Sequence, residues 1–386
     1  MAVSNVYGNG LNSTAGANTV VHYYDRMGIK AANATNIYGQ WADVKSMPTN
    51  MGKTFKISRF EHMYDRSTAD VDFAAKGFMT SRTADEVSTA LTNAALAEGA
   101  GAVNKKTLKK VTFETSLNRY GEMIDYTDEV DIFSEDFIQV RYRQELGELA
   151  NSRQEDLIQL DMLGTGTVMY SGDATSMSTI GATNGVNYRI SYDLVKAGVR
   201  KLVRNRAKKN TSVVTGSNKI GTLPVASAFY AVIGADVRAD LEACTRGTVA
   251  NNGITEYMFI PLHKYAAAGT VVDGEIGQMH EVKFIEAERA IVYAGEGALV
   301  AAGVNDMYAN DGTNLNVYPI LFPTEGAFAT IGLKGHDKIK FLSKSPEQVE
   351  NGNPYGTTGF FSYNFFYAGI ILREECLLKM LVAASI

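Results

Sequence analysis

Hydrophobic residues between positions 134 and 163 recur every three or four positions, the spacing that lines one face of an α-helix. They are Ile138, Tyr142, Leu146, Leu149, Leu157 and Leu160. No proline interrupts this stretch. At about 1.5 Å per residue it would form a rod of roughly 45 Å, whereas an average globular helix has about 11–12 residues. The pattern predicts one unusually long helix over 134–163, with Ser134 as its N-cap and Gly164 as a left-handed C-terminal residue.

Two further segments alternate hydrophobic and polar residues, as half-buried β-strands do. They are residues 52–60 and residues 107–117, and the Ala-rich sequence TALTNAALAEG lies between them. Their apolar faces consist of Phe55, Ile57, Val111, Phe113 and Leu117. We expect the two strands to pair as an extended ribbon. Because two strands alone are only marginally stable, the ribbon must rest on another surface.

The other segments predict an arm, a second helix and two regions of mixed structure. Residues 1–50 alternate turn-forming residues with isolated aromatic residues, which is typical of an arm lying along another surface. Ser191 can cap a helix with an apolar side and a basic C-terminal end. Short strands and helices alternate over 212–314, and strands return over 315–386. One of these strands places four aromatic residues on one face: Phe361, Tyr363, Phe365 and Tyr367. The chain is therefore predicted to be an α+β protein.

Composition excludes several classes of protein. Hydrophobic residues make up 45% of the chain and charged residues 20%, which is ordinary for a soluble globular protein of two or three domains. The net charge of −5 argues against a dedicated nucleic-acid-binding protein, whose affinity comes from an excess of Lys and Arg. No apolar run is long enough for a membrane helix, and residues 1–18 lack the order of a secretory signal. We expect synthesis in the cytoplasm and no membrane contact.

The sequence contains no motif for catalysis, metal binding or cofactor binding. The five histidines are scattered singly, and neither a GxSxG elbow nor a GxxxxGK[ST] phosphate loop occurs. Cys244 and Cys376 are too few for a disulfide framework, and we expect both to be buried. One loop offers oxygen ligands for calcium but lacks the terminal bidentate Glu: Asp306, Asn310, Asp311, Asn314 and Asn316. We expect no catalytic residue, no cofactor and no bound metal.

Two basic clusters each leave two interpretations open. The first lies on the predicted ribbon and consists of Lys105, Lys106, Lys109 and Lys110. These lysines either protect a solvated strand edge or contact an acidic neighbouring subunit. The second lies at the end of the second helix and consists of Arg200, Lys201, Arg204, Arg206, Lys208 and Lys209. These cations either match the negative end of the helix dipole or contact nucleic acid weakly and without sequence preference.

Six sequence blocks follow one another from about residue 50 to the end of the chain. They are GKTFKISRFEHM, ALAEG, KVTFETSLNRYGEMIDYTDEV, RQEDLIQLDML, DGEIGQMHEVKFIE and NPYGTTGFFSYNFFYAGIILREECLLKM. In this order they resemble the major capsid proteins of N-four-like tailed phages. The block at Asp273–Glu286 is the most specific of the six, whereas residues 1–20 match only loosely.

The resemblance implies the Hong Kong 97-type capsid fold, an α+β architecture with several characteristic parts. In chain order these are an N-terminal arm (1–50), an E-loop region (51–127), a P-domain (128–211) with the long helix as its spine (134–163), an A-domain (212–314) and a return to the P-domain (315–386). The E-loop region is longer than a minimal hairpin. We therefore expect its tip to carry an added contact or a small subdomain.

The same resemblance implies that copies of the chain form pentamers and hexamers of an icosahedral head around double-stranded DNA. The implied location is the virion, and the implied partners are further copies, a portal, scaffolding or decoration proteins, and the DNA. The expected interface residues are the four ribbon lysines together with Arg143, Glu145, Glu148, Arg153 and Glu155. The six cations between Arg200 and Lys209 would face the DNA.

Two other functions stay open at this point. An encapsulin-type compartment has the same fold and holds enzymes instead of a genome. A small-molecule enzyme would need a convergent polar pocket, which the sequence does not indicate.

Overall fold

A computed structural model gives the fold of the chain over residues 37–60, 83–99, 101, 110–133, 138–183, 186–215, 221–246, 256–265, 271–299, 309–310, 313–336, 339–348 and 353–385. Within these ranges the helices are α1 (Ala84–Ala94), α2 (Asp128–Phe133), α3 (Ile138–Leu163), α4 (Tyr192–Arg204) and α5 (Ala235–Glu242). Short 3₁₀ helices cover Tyr38–Trp41, Met177–Thr179, Leu262–Lys264 and Glu374–Cys376.

The strands of the described ranges form two large sheets and two small two-stranded sheets. They are β1 (Asp43–Met47), β2 (Thr54–Phe60), β3 (Lys110–Ser116), β4 (Asn118–Thr127), β5 (Val168–Tyr170), β6 (Asn210–Thr215), β7 (Gly221–Gly234), β8 (Ile260–Pro261), β9 (Glu275–Met279), β10 (Val282–Ala287), β11 (Ala309–Asn310), β12 (Asn314–Leu315), β13 (Tyr318–Phe322), β14 (Phe328–Leu333), β15 (Lys340–Lys344), β16 (Thr358–Ile371) and β17 (Leu378–Val382).

The long strand β16 organises the five-stranded sheet, in which the order is β1-β14-β16-β15 and β4 also pairs with β16. β14 pairs with the C-terminal end of β16, β15 with its N-terminal half, and β4 along most of its length. Alternate side chains of β16 are buried, namely Phe361, Tyr363, Phe365 and Tyr367. The predicted aromatic strand face is confirmed.

The eight-stranded sheet has the order β5-β17-β13-β7-β10-β9-β8, with β6 also paired to β7. Its members β13 and β17 come from the range that was predicted to return to the P-domain. Helix α4 packs on this sheet as well, since Val199 and Leu202 share a core with Leu378 of β17. Each large sheet thus combines strands from separated parts of the chain. Strand pairing depends on contacts between distant residues, such as Leu321 opposite Val232, and alternation along one strand does not encode the partner.

Helix α3 packs one face against the aromatic face of β16. Leu146, Ala150, Ile158 and Met162 are buried in the same hydrophobic core as the β16 aromatic residues. The Tyr367 hydroxyl donates a hydrogen bond of 2.8 Å to Asp161 Oδ2. The long helix is present from Ile138 onward, and the predicted cap Ser134 lies outside the described residues.

Two details of the predicted helix are wrong. Leu160 is 56% exposed, because the buried face runs through Ile158 and Met162, which lie on the opposite side of the helix. Gly164 is not among the glycines with positive φ. The chain instead leaves the helix through a tight turn, in which the Gly164 N–H donates to Asp161 O at 3.2 Å. The Lys379 ammonium group donates to the terminal carbonyl of Leu163 at 2.8 Å and so caps the helix.

Residues 37–47, predicted to be part of an arm, belong to the body of the chain. The Trp41 ring is buried with its centroid 4.5 Å from that of Tyr230, and β1 pairs in parallel with β14. Isolated aromatic residues between turn formers have no periodic pattern, so their packing could not be predicted from the sequence. Residues 1–36 lie outside the described residues, and an arm there stays a prediction.

The predicted ribbon is confirmed in its paired part. β2 and β3 are antiparallel, from Thr54 opposite Ser116 to Phe60 opposite Lys110. Phe55 and Phe113 pack against the buried residues of the five-stranded sheet, including Ala368. The intervening ranges 61–82 and 102–109 lie outside the described residues, as do Lys105, Lys106 and Lys109.

The two leucines Leu146 and Leu160 allow a direct test of which face of α3 is buried. Replacing Leu146 by Ala should lower the free energy of unfolding of the unassembled subunit by about 2–5 kcal/mol, because buried apolar contacts are lost and a cavity remains in the core. Leu160→Ala should change it by no more than about 0.5 kcal/mol. Urea denaturation followed by circular dichroism measures both, and equal losses would contradict this assignment of faces.

Candidate subunit interface

The paired part of the ribbon is anchored to its own chain. Arg59 Nη1 donates to Leu372 O at 3.1 Å, and the guanidinium lies 3.6 Å from Glu375 Oε1. It also lies over the Phe113 ring at 5.3 Å. The Thr115 hydroxyl donates to Gly369 O at 3.2 Å. Thr115 and Arg59 lie at opposite ends of the β2–β3 pairing, so these contacts hold the whole paired part of the ribbon against its own chain.

Helix α1, which lies between the two ribbon strands in the sequence, has no buried residue. It is well formed at its start, where the Thr83 hydroxyl accepts a hydrogen bond from the Glu86 N–H at 3.3 Å. Leu91 is 59% exposed, and Leu96, just after the helix, is 72% exposed. An isolated helix of this length is marginal in water, and most helices are stabilised by packing an apolar face. The exposed side chains of Leu91 and Leu96 are thus available to a second molecule.

The solvent face of the ribbon carries charges. Lys56 Nζ and Glu114 Oε2 form a cross-strand ion pair of 2.8 Å, with both side chains well exposed. Hydrogen bonding within this pair raises the pKa of Lys56 and lowers the pKa of Glu114. Lys110, the first residue of β3, is also exposed. Exposed ion pairs contribute little to the stability of the folded chain. The charged side chains on this face are therefore better suited to contacts with another subunit than to stabilising the fold.

The predicted interface residues of α3 divide into two groups. Arg153 donates to Glu122 Oε1 of β4 at 3.1 Å, and Glu155 accepts the backbone N–H groups of Tyr38 at 2.8 Å and Gly39 at 3.1 Å. These two side chains therefore hold their own chain together. Arg143 lies over the Phe361 ring at 4.9 Å while remaining exposed, and Glu145 is exposed and Glu148 half-buried.

An apolar patch that the sequence did not indicate lies at one end of the five-stranded sheet. Helix α2 is attached there by the Asp128 N–H, which donates to Thr357 O at 2.9 Å. Phe133 in α2 is 83% exposed, and Tyr355 in the neighbouring turn is 89% exposed. Ile132 is exposed as well. Apolar residues are usually assigned to the core, so only the folded structure reveals that these three side chains face outward. We refer to Ile132, Phe133 and Tyr355 as the tip patch.

The predicted cluster of six cations is divided by the fold. Lys201 Nζ donates to Val168 O at 3.1 Å, and burial lowers the pKa of this lysine. Lys209 Nζ lies 2.9 Å from Glu281 Oε2. The remaining four members are exposed: Arg200, Arg204, Arg206 and Lys208.

Among the described residues, His, Cys, Asp and Glu side chains form no group of three that could hold a metal ion, although Asp306 and Asp311 of the predicted calcium loop lie outside the described ranges. Cys244 and Cys376 are both buried, as predicted. Burial raises the pKa of the Cys244 thiol to about 12. Within the described part of the chain, no helix is both long enough and apolar enough to cross a bilayer.

The known proteins that the chain resembles are phage capsid proteins. No family model matches it. The major capsid protein of Pseudomonas phage KPP21 is 29% identical over 386 residues, which is 95% of this chain and 93% of that protein. The solved capsid of Ralstonia phage GP4 aligns with a TM-score of 0.58 at 10% identity and covers 98% of both chains. The chain has the phage capsid fold. The capsid of Cyanophage P-SCSP1u also aligns, with a TM-score of 0.54 at 11% identity over 95% of this chain and 94% of that one.

The capsid fold confirms two predictions made from the sequence. One is the resemblance to phage major capsid proteins, and the other is the α+β class with the Hong Kong 97-type architecture. The N-four-like subgroup stays a prediction. So do the assigned domain boundaries and interface residues.

A matched pair of glutamates on α3 tests the role of Glu155 within the chain. Glu155→Ala should lower the free energy of unfolding of the unassembled subunit by about 1–3 kcal/mol, because two part-buried N–H groups lose their acceptor. Glu145→Ala removes an exposed carboxylate from the same helix and should change stability by no more than about 0.5 kcal/mol. Chemical denaturation measures the free energy of unfolding of both variants. A Glu155→Ala subunit as stable as the parent would argue for a role of Glu155 outside its own chain.

Proposed function

We propose that the chain is a phage major capsid protein, whose copies form the pentamers and hexamers of an icosahedral head enclosing double-stranded DNA. The observation that carries this proposal is the similarity to the KPP21 major capsid protein over 95% of the chain. The capsid fold, which the chain shares over nearly its full length with the GP4 capsid, supports it. The chain is accordingly a virion component and a structural protein, synthesised in the host cytoplasm, and not an enzyme.

The exposed apolar elements support assembly on physical grounds. Helix α1 has no buried residue, and the tip patch exposes three large apolar side chains. A repeated contact between two different surfaces of identical subunits closes into rings when the rotation allows it. Obligate contacts of this kind bury about 2,000–5,000 Å² or more, so many modest contacts share the binding energy.

Roles for the main elements follow from this function. The β2–β3 ribbon with α1 would be the E-loop, α3 the spine helix, the five-stranded sheet the centre of the P-domain and the eight-stranded sheet the centre of the A-domain. This division assigns β13, β17 and α4 to the A-domain on the basis of their sheet and core contacts. Residues 1–36 would form the N-terminal arm.

The proposed subunit interface combines sequence predictions with features of the fold. It includes α1, the tip patch, Arg143, Glu145, Glu148 and the ribbon lysines Lys105, Lys106, Lys109 and Lys110. Arg153 and Glu155 were also predicted to lie at the subunit interface. Both form hydrogen bonds within their own chain, so they are not included. Further proposed partners are a portal, scaffolding or decoration proteins, and the packaged DNA.

Electron microscopy of the expressed full chain tests the proposed function. We expect closed shells with icosahedral symmetry, and particles from infected cells should contain double-stranded DNA. A monodisperse monomer under all assembly conditions would contradict the proposal. Particles that hold protein cargo and no DNA would instead indicate a cellular compartment.

Deletion of Glu86–Lys106 tests the role of the ribbon. This segment includes most of α1, which has no buried residue, so the shortened subunit should remain soluble and folded. Shells should be absent, because the ribbon has lost the part that reaches a neighbour. Circular dichroism checks the fold and electron microscopy checks the particles; normal shells from this variant would refute the assignment.

A finer test uses two positions of α1 that differ in direction. Leu91→Asp places a charge where we propose an apolar contact, and Thr89→Asp places the same charge on another side of the helix. Losing the burial of one leucine, worth about 1.5–3 kcal/mol, should reduce the yield of shells at least about tenfold in the first variant. The second variant should assemble like the parent protein. Sedimentation of assembly mixtures gives both yields, and equal yields would exclude Leu91 from the contact.

A further inference from the structure

The outward face of α4 carries a row of cations. Lys196, Arg200 and Arg204 are exposed at intervals of four residues, and the exposed Lys208 follows the end of the helix. Positions four apart lie on the same side of a helix and are about 6 Å apart along its axis. The other side of α4 is buried through Val195, Val199 and Leu202. These four side chains, the α4 cation row, therefore face away from the core of their own chain.

Nearby charges of the same chain are engaged in other contacts. Lys201 and Lys209, the other cations of this region named above, bind Val168 O and Glu281. Among the carboxylates, Glu375 lies 3.6 Å from Arg59, and Glu374 accepts the Gly166 N–H at 2.8 Å. Within α4 itself the acidic residue is Asp193, in the first turn. The α4 cation row is thus a local positive surface on a chain whose net charge is −5.

The chemistry of this surface suits phosphate groups. The exposed positions of α4 carry cations, Asp193 and Val203, and none carries an aromatic side chain. Protein interfaces are enriched in aromatic anchors, whereas nonspecific binding to a nucleic-acid duplex depends on evenly spaced Lys and Arg. Lys196 and Arg204 are about 12 Å apart along the helix, a length over which a duplex carries about seven phosphates.

Building on the capsid function proposed above, we propose that the α4 cation row contacts the phosphates of packaged double-stranded DNA. The α4 side of the eight-stranded sheet then faces the interior of the shell. This proposal narrows the six predicted cations to Arg200, Arg204 and Lys208, adds Lys196, and leaves out Lys201 and Lys209 because both are engaged within the chain. Arg206 makes contacts of its own and is not part of the row.

The dependence of DNA binding on salt tests the row in the purified full-chain subunit. The probe is a 30-bp duplex of arbitrary sequence, titrated by fluorescence anisotropy at several salt concentrations. Each neutralised phosphate contributes about 0.9 to the slope of log K against log[salt]. The double variant Arg200→Gln with Arg204→Gln should therefore reduce the magnitude of the slope by about 1.8.

A matched control removes two exposed cations, one just after β14 and one in β15, by Lys334→Gln with Lys340→Gln. Both double variants remove two positive charges. The control should leave the slope unchanged, because its lysines lie outside the α4 cation row and the overall charge of −5 does not favour DNA. Equal changes in both double variants, or no binding of the duplex at low salt, would overturn the proposal. If the duplex does not bind at low salt, the partner to test next is an acidic protein.

The orientation of α4 in assembled particles gives an independent test. A cryo-electron-microscopy map of DNA-filled heads should show the α4 cation row next to the outermost layer of DNA. Finding α4 on the outer surface of the shell would overturn this proposal and leave the capsid function intact. Failure to form any shell would instead count against the capsid function, while the salt slope still reports on the row.

Discussion

The packing of α3 against the aromatic face of β16 is the contact on which the rest of the structure depends. Each buried side chain of this kind is worth about 1.5–3 kcal/mol, and the contact joins Leu146, Ile158 and Met162 to four aromatic residues of one strand. The same helix also reaches the eight-stranded sheet, where Asp156 lies 3.2 Å from Arg289 and Leu163 O accepts from Lys379. Helix α3 therefore sets the positions of both sheets relative to each other.

Around this packed centre, some of the described elements keep apolar side chains exposed. The paired part of the ribbon is held at its two ends by Thr115 and Arg59, yet α1 has no buried residue. The tip patch extends from the end of the five-stranded sheet that α2 joins. In a shell, the rigid centre gives each protruding element a defined direction, so identical subunits can repeat the same contacts around a ring.

Charged side chains divide in a similar way between folding and association. Glu155 and Lys201 have partners within the chain, where they satisfy backbone groups that would otherwise be unpaired. Arg200, Arg204 and Lys110 remain exposed. An exposed charge stays hydrated and costs the folded state almost nothing. Pairing it with another exposed charge would add little stability. The exposed charges are therefore available for neighbours or for DNA.

Elements that depend only on local spacing could be predicted from the sequence. The long helix, the paired strands of the ribbon, the Ser191 cap and the aromatic face of β16 all follow from spacing along the chain, because helix and strand periodicity place side chains on faces. The order of blocks also indicated the capsid fold. Other features became evident only in the folded chain: which strands share a sheet, that Leu160 faces outward, that residues 37–47 belong to the body and that Phe133 is exposed. These features depend on contacts between residues far apart in the chain, and no local pattern records them.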